Sequence, residues 1–445
     1  MQARRFSTGM CAVLIFAAAL FGPVTTVSAQ TADVQALRQE IEQLRKEFEA
    51  VRQQYGQRLS ALEARLGGAA APAAAAPATR EAGQPATAEV PPGALAAGGP
   101  TGSLPIYATA SAASKIFNPD IGMIGNFISA TGESRGGSES IAPIPFATLQ
   151  ESEASFQAIV DPYARADFFL AIGEEGIEVE EGYVSFPTLP GGLFVKAGKF
   201  RANIGRLNAF HNHTLPWIDR PLVMYNLLGG SPLDPDTGIK DAGVSVSRLI
   251  PAGKVFLEAT GEVFRGDSGT VFKSSRRSDV STIGRLRAYA DFTEEANIEI
   301  GGSYARGHND LGSGFFTQLY GTDVALRWRP LSRAIYRSMA ARTELFWSRR
   351  EEIAAPQSAF GGYASLDYQV QRRWFVGGRY DWTERATNAA IRDRGSSAVL
   401  TFWPSEFTQL RSQYRRTRYG DDGRMANELL FQALFTIGAH GAHPF

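Results

Sequence analysis

The chain has 445 residues with 45 Lys+Arg against 45 Asp+Glu, so no basic excess exists to neutralise phosphates and no nucleic-acid partner is expected. Its one cysteine, Cys11, excludes a disulfide framework and any cysteine-based zinc site. Charge is spread along the whole chain, which excludes a bundle of membrane helices, while glycine (46) and aromatics (28 Phe, 14 Tyr, 6 Trp) are plentiful. The first predicted element is an export signal over 1–29. Arg4 and Arg5 precede an apolar run from Met10 to Phe21, and Val27-Ser28-Ala29 supplies small residues for cleavage before Gln30.

Beyond the signal, Val34, Leu37, Ile41, Leu44, Phe48, Val51 and Tyr55 alternate spacings of three and four, the a/d seam of a coiled coil. Leu59, Leu62 and Leu66 continue it through a stutter, and Gly67-Gly68 end it. A periplasmic coiled-coil helix is therefore expected over 30–67, roughly 50 Å long at 1.5 Å per residue. Its apolar stripe wants partner helices, which points to a homo-oligomer. Residues 68–104 are rich in Ala, Pro and Gly and read as an unpacked linker.

Residues 105–445 change character. Segments of alternating apolar and polar residues, rich in Val, Ile, Phe, Tyr and Trp, are separated by turn chemistry. Eight strands are expected at 121–130, 147–160, 164–173, 176–186, 192–202, 241–249, 254–265 and 281–292. Eight more follow at 296–307, 315–329, 338–351, 359–370, 373–386, 395–403, 407–419 and 426–439. Short connections alternate with mostly longer polar ones at 131–146, 203–240, 266–280, 308–314, 352–358 and 387–394. An even strand number with sorted loops is what a transmembrane barrel requires. The faces agree: Leu286, Ala288 and Ala290 alternate with Arg285, Arg287, Tyr289 and Asp291, and Val324, Leu326 and Trp328 with Asp323, Ala325 and Arg327. Leu429, Phe431, Ala433, Phe435 and Ile437 run in phase toward Phe445, an aromatic end that resembles the insertion signal of bacterial outer-membrane proteins. The expected fold is all-β, a 16-stranded antiparallel transmembrane β-barrel over 105–445 preceded by an N-terminal α-helical coiled coil. It would sit in outer-membrane lipid, with the N-terminal region in the periplasm.

The run Phe194-Val195-Lys196-Ala197-Gly198-Lys199-Phe200-Arg201, then Gly205-Arg206-Leu207 and Asp219-Arg220-Pro221-Leu222, resembles the phosphate-selective porin O/P family. The resemblance is specific only over 194–222. It implies a sixteen-stranded trimeric outer-membrane channel. The loop carrying His211, Asn212, His213 and the Asp219 to Leu222 run is also similar to barrels labelled zinc-regulated outer-membrane receptors.

The longest connection, 203–240, follows the fifth strand. In trimeric porins of similar build a long early loop folds into the barrel as the constriction. Here it carries His211, His213, Trp217, Asp219, Arg220, Asp234 and Asp236, whose charge would set what passes. His211 and His213 form an H-x-H pair that, with nearby carboxylates, would hold Zn²⁺ weakly. The alternative is a pair of ordinary polar loop residues bonded to backbone. Charges assigned to the lumen include Arg165, Glu258, Glu262, Arg285, Arg287, Asp291, Arg327, Arg329, Arg379 and Asp381, with Glu178 and Glu180 among further acidic candidates. That mixture departs from the one-sided basic lining a dedicated phosphate channel wants, and each pair reads equally as a wall salt bridge.

No nucleophile elbow, zinc-protease motif or phosphate loop occurs, so no enzyme and no resident cofactor are expected, zinc entering only as a bound or transported ion. The function expected is a homotrimeric porin passing small hydrophilic solutes or ions by passive diffusion. The alternative is a structural tether whose coiled coil contacts the cell wall while the barrel anchors it.

Overall fold

Alternation with period two carries sixteen segments into strands. They are β1 (Asp120–Gly132), β2 (Ala147–Asp161), β3 (Ala164–Gly173), β4 (Gly176–Leu189), β5 (Leu193–Arg201), β6 (Lys240–Ala252), β7 (Val255–Phe264) and β8 (Ser281–Thr293). The second half adds β9 (Ala296–Asn309), β10 (Gly312–Trp328), β11 (Met339–Arg350), β12 (Gln357–Gln371), β13 (Trp374–Arg385), β14 (Asn388–Ser405), β15 (Thr408–Arg418) and β16 (Met425–Gly438). Each pairs antiparallel with its sequence neighbours, and β1 pairs with β16 from Gly122↔Gly438 to Gly132↔Glu428, closing the barrel without a free edge. The computed structural model describes residue 46 and residues 119–133, 143–173, 176–232, 237–421 and 423–438. The chain divides into two units, Met1–Thr87 and Ala88–Phe445, and of the first only Lys46, helical and exposed, is described. The expected signal peptide, coiled coil and linker lie outside the described residues.

The barrel is polar inside and apolar outside. Leu286, Ile300, Leu366, Val376 and Leu400 are exposed on the outer face, while Glu153, Asp167, Glu180, Asp323, Glu344 and Asp381 are buried within. No aqueous protein stabilises itself by that distribution, since burying apolar area is the main driving force in water. In a bilayer it is the required one. Aromatic side chains band the outer face near the long-loop end: Tyr304 meets Tyr320 at 5.0 Å between ring centroids, Trp347 meets Phe360 at 5.1 Å, and Phe360 meets Trp382 at 5.3 Å. Near the opposite rim Trp374 stacks on Phe402 at 4.4 Å. Two aromatic girdles around an aliphatic band mark the two interfaces of a membrane.

Most strand ends lie within about three residues of the expected ones, and two expected loops change most. The expected loop 387–394 is strand: β14 starts at Asn388, and the hairpin is prolonged by Asp393 accepting from Arg385 at 3.3 Å and Glu384 accepting from Arg392 at 3.2 Å. The expected loop 308–314 shrinks to Asp310-Leu311 because β9 and β10 pair on to Gly312↔Asn309.

Candidate functional site

β5 ends at Arg201, and the chain then turns into the barrel before returning at Lys240. Gly205 makes the turn with φ +59°, a conformation L side chains resist, and a Cβ there would run into Glu344 and the Phe346 ring. Two 3₁₀ turns (Leu207–Ala209, Asn212–Thr214) and a short helix α1 (Leu222–Leu228), started by Pro221, follow. Every residue of α1 is buried. Ile204, Leu207, Leu215, Trp217, Val223, Met224 and Leu227 pack with Phe200, Phe264, Phe272 and Phe346 as an apolar core inside the barrel.

A backbone that leaves its ladder must find other hydrogen-bond partners. Wall side chains supply them. The Asn203 amide donates to Glu262 (2.8 Å), Gly205 to Ser303 (2.9 Å), and Arg206 and Leu207 to Glu344 (2.7 and 3.0 Å). Further along, Ile218 donates to Gln413 (2.8 Å), Leu222 to Asp381 (3.2 Å), and the Asn226 side chain to Asp393 (2.8 Å). These acceptors stand on β7, β9, β11, β15, β13 and β14, so the loop is held to much of the inner wall.

One group of loop residues meets an acidic patch on β2 and β4. His211 donates from Nδ1 to Glu153 (2.5 Å) and from Nε2 to Glu181 (2.6 Å), with Glu180 3.4 Å from Nδ1. The His213 Nδ1 lies 3.5 Å from the same Glu153 oxygen, and Asn212 donates to Glu151 at 3.2 Å. Burial pulls the His211 imidazole down, but Glu180 and Glu153 outweigh it and hold the ring well above its ordinary pKa. Arg201 bonds Glu180 at 2.5 Å. Four carboxylates converge here, Glu151 and Glu153 by ordinary alternation and Glu180 with Glu181 through one of two β-bulges. The register shifts between Asn126 and Phe127 of β1, leaving Gln150 of β2 unpaired, and between Phe169 and Leu170 of β3, leaving Glu180 of β4 unpaired. Neighbours Glu180 and Glu181 thereby both face inward, which strict alternation cannot produce.

A second group meets a basic patch on β13 and β15. Asp219 binds Arg379 (3.0 Å) and Arg415 (2.8 Å) and accepts from Gln413 (2.6 Å). Burial raises its carboxyl, and the two guanidinium groups bring it below the ordinary carboxylate range. Arg379 lies over the Trp217 ring, 4.8 Å from its centroid. Arg220 stays within the loop, donating to Asn212 (2.8 Å) and to the carbonyls of Leu207 (3.1 Å) and Phe210. Burial and the neighbouring Arg201 pull it down to about 9, still a cation at neutral pH.

The structure therefore brings His211, His213, Trp217, Asp219 and Arg220 inside the barrel, but as anchors to the wall and to the loop itself. Trp217 is wholly buried and lines no open passage. Asp234 and Asp236 lie outside the described residues, as do His440 and His443. Of the wall charges, Arg285 pairs with Asp323 (2.8 Å), Arg287 with Glu258, Arg165 with Asp167 (2.7 Å), and Arg379 with Asp381 (2.8 Å). Glu262 is taken up by Asn203 and Arg327 is half-buried. Asp291 and Arg329 belong instead to the exposed rim beside the tight turns, where strand ends leave the enclosed wall. Glu178 is only half-buried, bonded to Lys199 at 3.0 Å. Glu181, Arg411 and Arg415 are not singled out in the sequence, and Lys196 and Arg201 stand there only within the run 194–201, not as interior charges. For Arg411 and Arg415 a signal existed: with Gln413 they alternate against Leu410, Ser412 and Tyr414 on β15. At the long-loop end a cavity of about 720 Å³ opens among Lys199, Lys240, Arg265, Asp267, Arg350 and Arg385.

An uncharacterized protein of Aquifex aeolicus (strain VF5) is 30% identical over 338 residues, 67% of this chain and 70% of the relative. The chain belongs to that protein's family. No model of a known protein family matches it. Among solved structures, a loop-deletion mutant of OmpT, an outer membrane protein of Vibrio cholerae, superimposes with a TM-score of 0.50 at 12% identity, covering 72% of this chain and 99% of that one. The in-vitro-folded trimer form of OmpT gives a TM-score of 0.50 at 11% identity with the same coverage. At that identity the likeness is one of fold: the closed sixteen-stranded barrel is shared with outer-membrane proteins.

Proposed function

We propose that the chain is an outer-membrane channel through which small hydrophilic solutes or ions diffuse passively, with loop 203–240 as its constriction. The observation that carries this reading is the loop itself, folded inside a barrel with an apolar outer face and bonded to wall strands, below a polar cavity at the long-loop end. A loop so placed sets the width of any passage. The inner-wall charges are mostly paired, so their fields largely cancel and weak ion selectivity follows, unlike a dedicated phosphate pore. The trimeric form of the OmpT neighbour supports a homotrimer. The test is planar-bilayer conductance of the refolded full chain, with reversal potentials in a salt gradient.

A second reading draws on the same loop. Its apolar core and many wall bonds suit a closed barrel acting as the membrane anchor of a cell-wall tether. Folded protein that inserts but carries no current, and that binds wall polymer through residues 30–67, would establish that reading instead.

A further inference from the structure

Glu151 and Glu153 stand two residues apart on β2, and His211 and His213 two apart on the loop facing them. One ligand atom from each of the four lies within 4.8 Å of all the others, and all four residues are buried. Among the described residues the ion-pair partners of Glu153 are the two imidazoles, with no Lys or Arg. Glu153 Oε1 is buried with no hydrogen-bond partner, and Glu151 packs against another acidic side chain, Glu180, a costly crowding of carboxyl groups unless a cation meets them. Both His Nδ1 atoms converge on one Glu153 oxygen, at 2.5 and 3.5 Å. Behind His211, Nε2 donates to Glu181, which in turn accepts the Arg201 backbone amide at 3.0 Å. A carboxylate holding the far nitrogen of an imidazole is the usual support of a metal-ligating histidine, because it fixes the ring and its tautomer.

We propose that Glu151, Glu153, His211 and His213 form a divalent transition-metal site that locks the loop to β2, the ion replacing the proton between His211 Nδ1 and Glu153, with Glu181 on Nε2 as the residue positioning His211. Two imidazoles with two carboxylates suit zinc or cobalt, and not magnesium or calcium, which take oxygen ligands. The ligands come in pairs from two elements that pack only when the loop is docked, so an ion there stabilises the docked loop by binding it alone. This site does not depend on whether the barrel conducts.

The test is calorimetric titration of the folded, detergent-solubilised full chain at neutral pH with ZnCl₂, and separately with CaCl₂. One Zn²⁺ per chain is expected, with hydrogen exchange slowing across 207–216 on binding. Glu181→Gln should weaken zinc roughly 10–100-fold, as loss of a supporting carboxylate does. His213→Gln and Glu151→Gln, both mild changes, should weaken it at least as much, while His308→Gln leaves it unchanged. Absence of zinc binding by the folded chain would overturn the site. So would equal affinity for Ca²⁺, or binding that survives in the Glu151→Gln/His213→Gln variant and vanishes in a His440→Ala/His443→Ala variant.

Discussion

Asp219 and Arg379 form an ion pair at 3.0 Å between the loop inside the barrel and strand β13 of its wall, and neither side chain is reached by solvent. Arg415 of β15 holds the other carboxylate oxygen at 2.8 Å. One loop carboxylate thus ties down two wall guanidinium groups. Asp219→Ala leaves Arg379 with Asp381 (2.8 Å) and Arg415 with Glu428 (2.7 Å) as remaining partners, so the cost stays below the about 3–5 kcal/mol of stranding a buried charge outright. The expected outcome is a lower denaturation midpoint together with larger, noisier single-channel currents, because the loop is freed while the barrel persists. Unchanged currents with intact stability would show that the pair does not hold the loop.

The same carboxylate sets an acid limit. Its folded pKa is depressed below the unfolded value, so its contribution is fully present above about pH 3.9 and is lost as pH falls through the folded pKa. The share of loop docking that Asp219 carries should therefore hold at neutral pH and be lost only in strong acid. Trp217, packed against Tyr363 at 5.4 Å, reports on it by fluorescence. The acid transition in wild type should be lost from Asp219→Asn, in which docking is weakened at every pH. A transition of the same midpoint and amplitude in that variant would assign it to other carboxylates.

Gly205→Ala should loosen the turn into the barrel. The position has φ +59°, and the new Cβ meets Glu344, which accepts from the Arg206 and Leu207 amides. A cost of about 1–3 kcal/mol is expected from overpacking, read as a reduced denaturation midpoint. Wild-type stability would mean that the turn relaxes without Gly.

Leu286 of β8 is exposed on the outer face between inward-facing Arg285 and Arg287. Leu286→Arg should cost about 2–4 kcal/mol if the residue lies near the bilayer midplane, measured by folding equilibrium into lipid vesicles. In a water-soluble barrel the same change would be neutral.

Most of the barrel was legible because period-two alternation is written in single residues: where Leu286 and Leu326 point outward, Arg285 and Asp323 point inward, and the strands follow. The loop was legible from its length, and His211, His213 and Asp219 stood out within it. Their partners were not. A β-bulge adds one residue with no compositional mark, so nothing in the Glu180-Glu181 pair says that both face inward. Nor does local pattern show that Asp219 meets Arg415, 196 residues away in the chain. Such contacts are decided by where the loop crosses the barrel. The prolonged β14 hairpin was hidden because charged residues such as Arg392 and Asp393 read as loop until they pair across strands.

This barrel is proposed to conduct, with its inner loop governing the current. Single-channel recording of the refolded full chain in a planar bilayer tests it most directly, without added metal. Steady ohmic steps in threes, with a small reversal potential in a KCl gradient, are the result expected. Correctly folded, membrane-inserted protein that carries no current would contradict it.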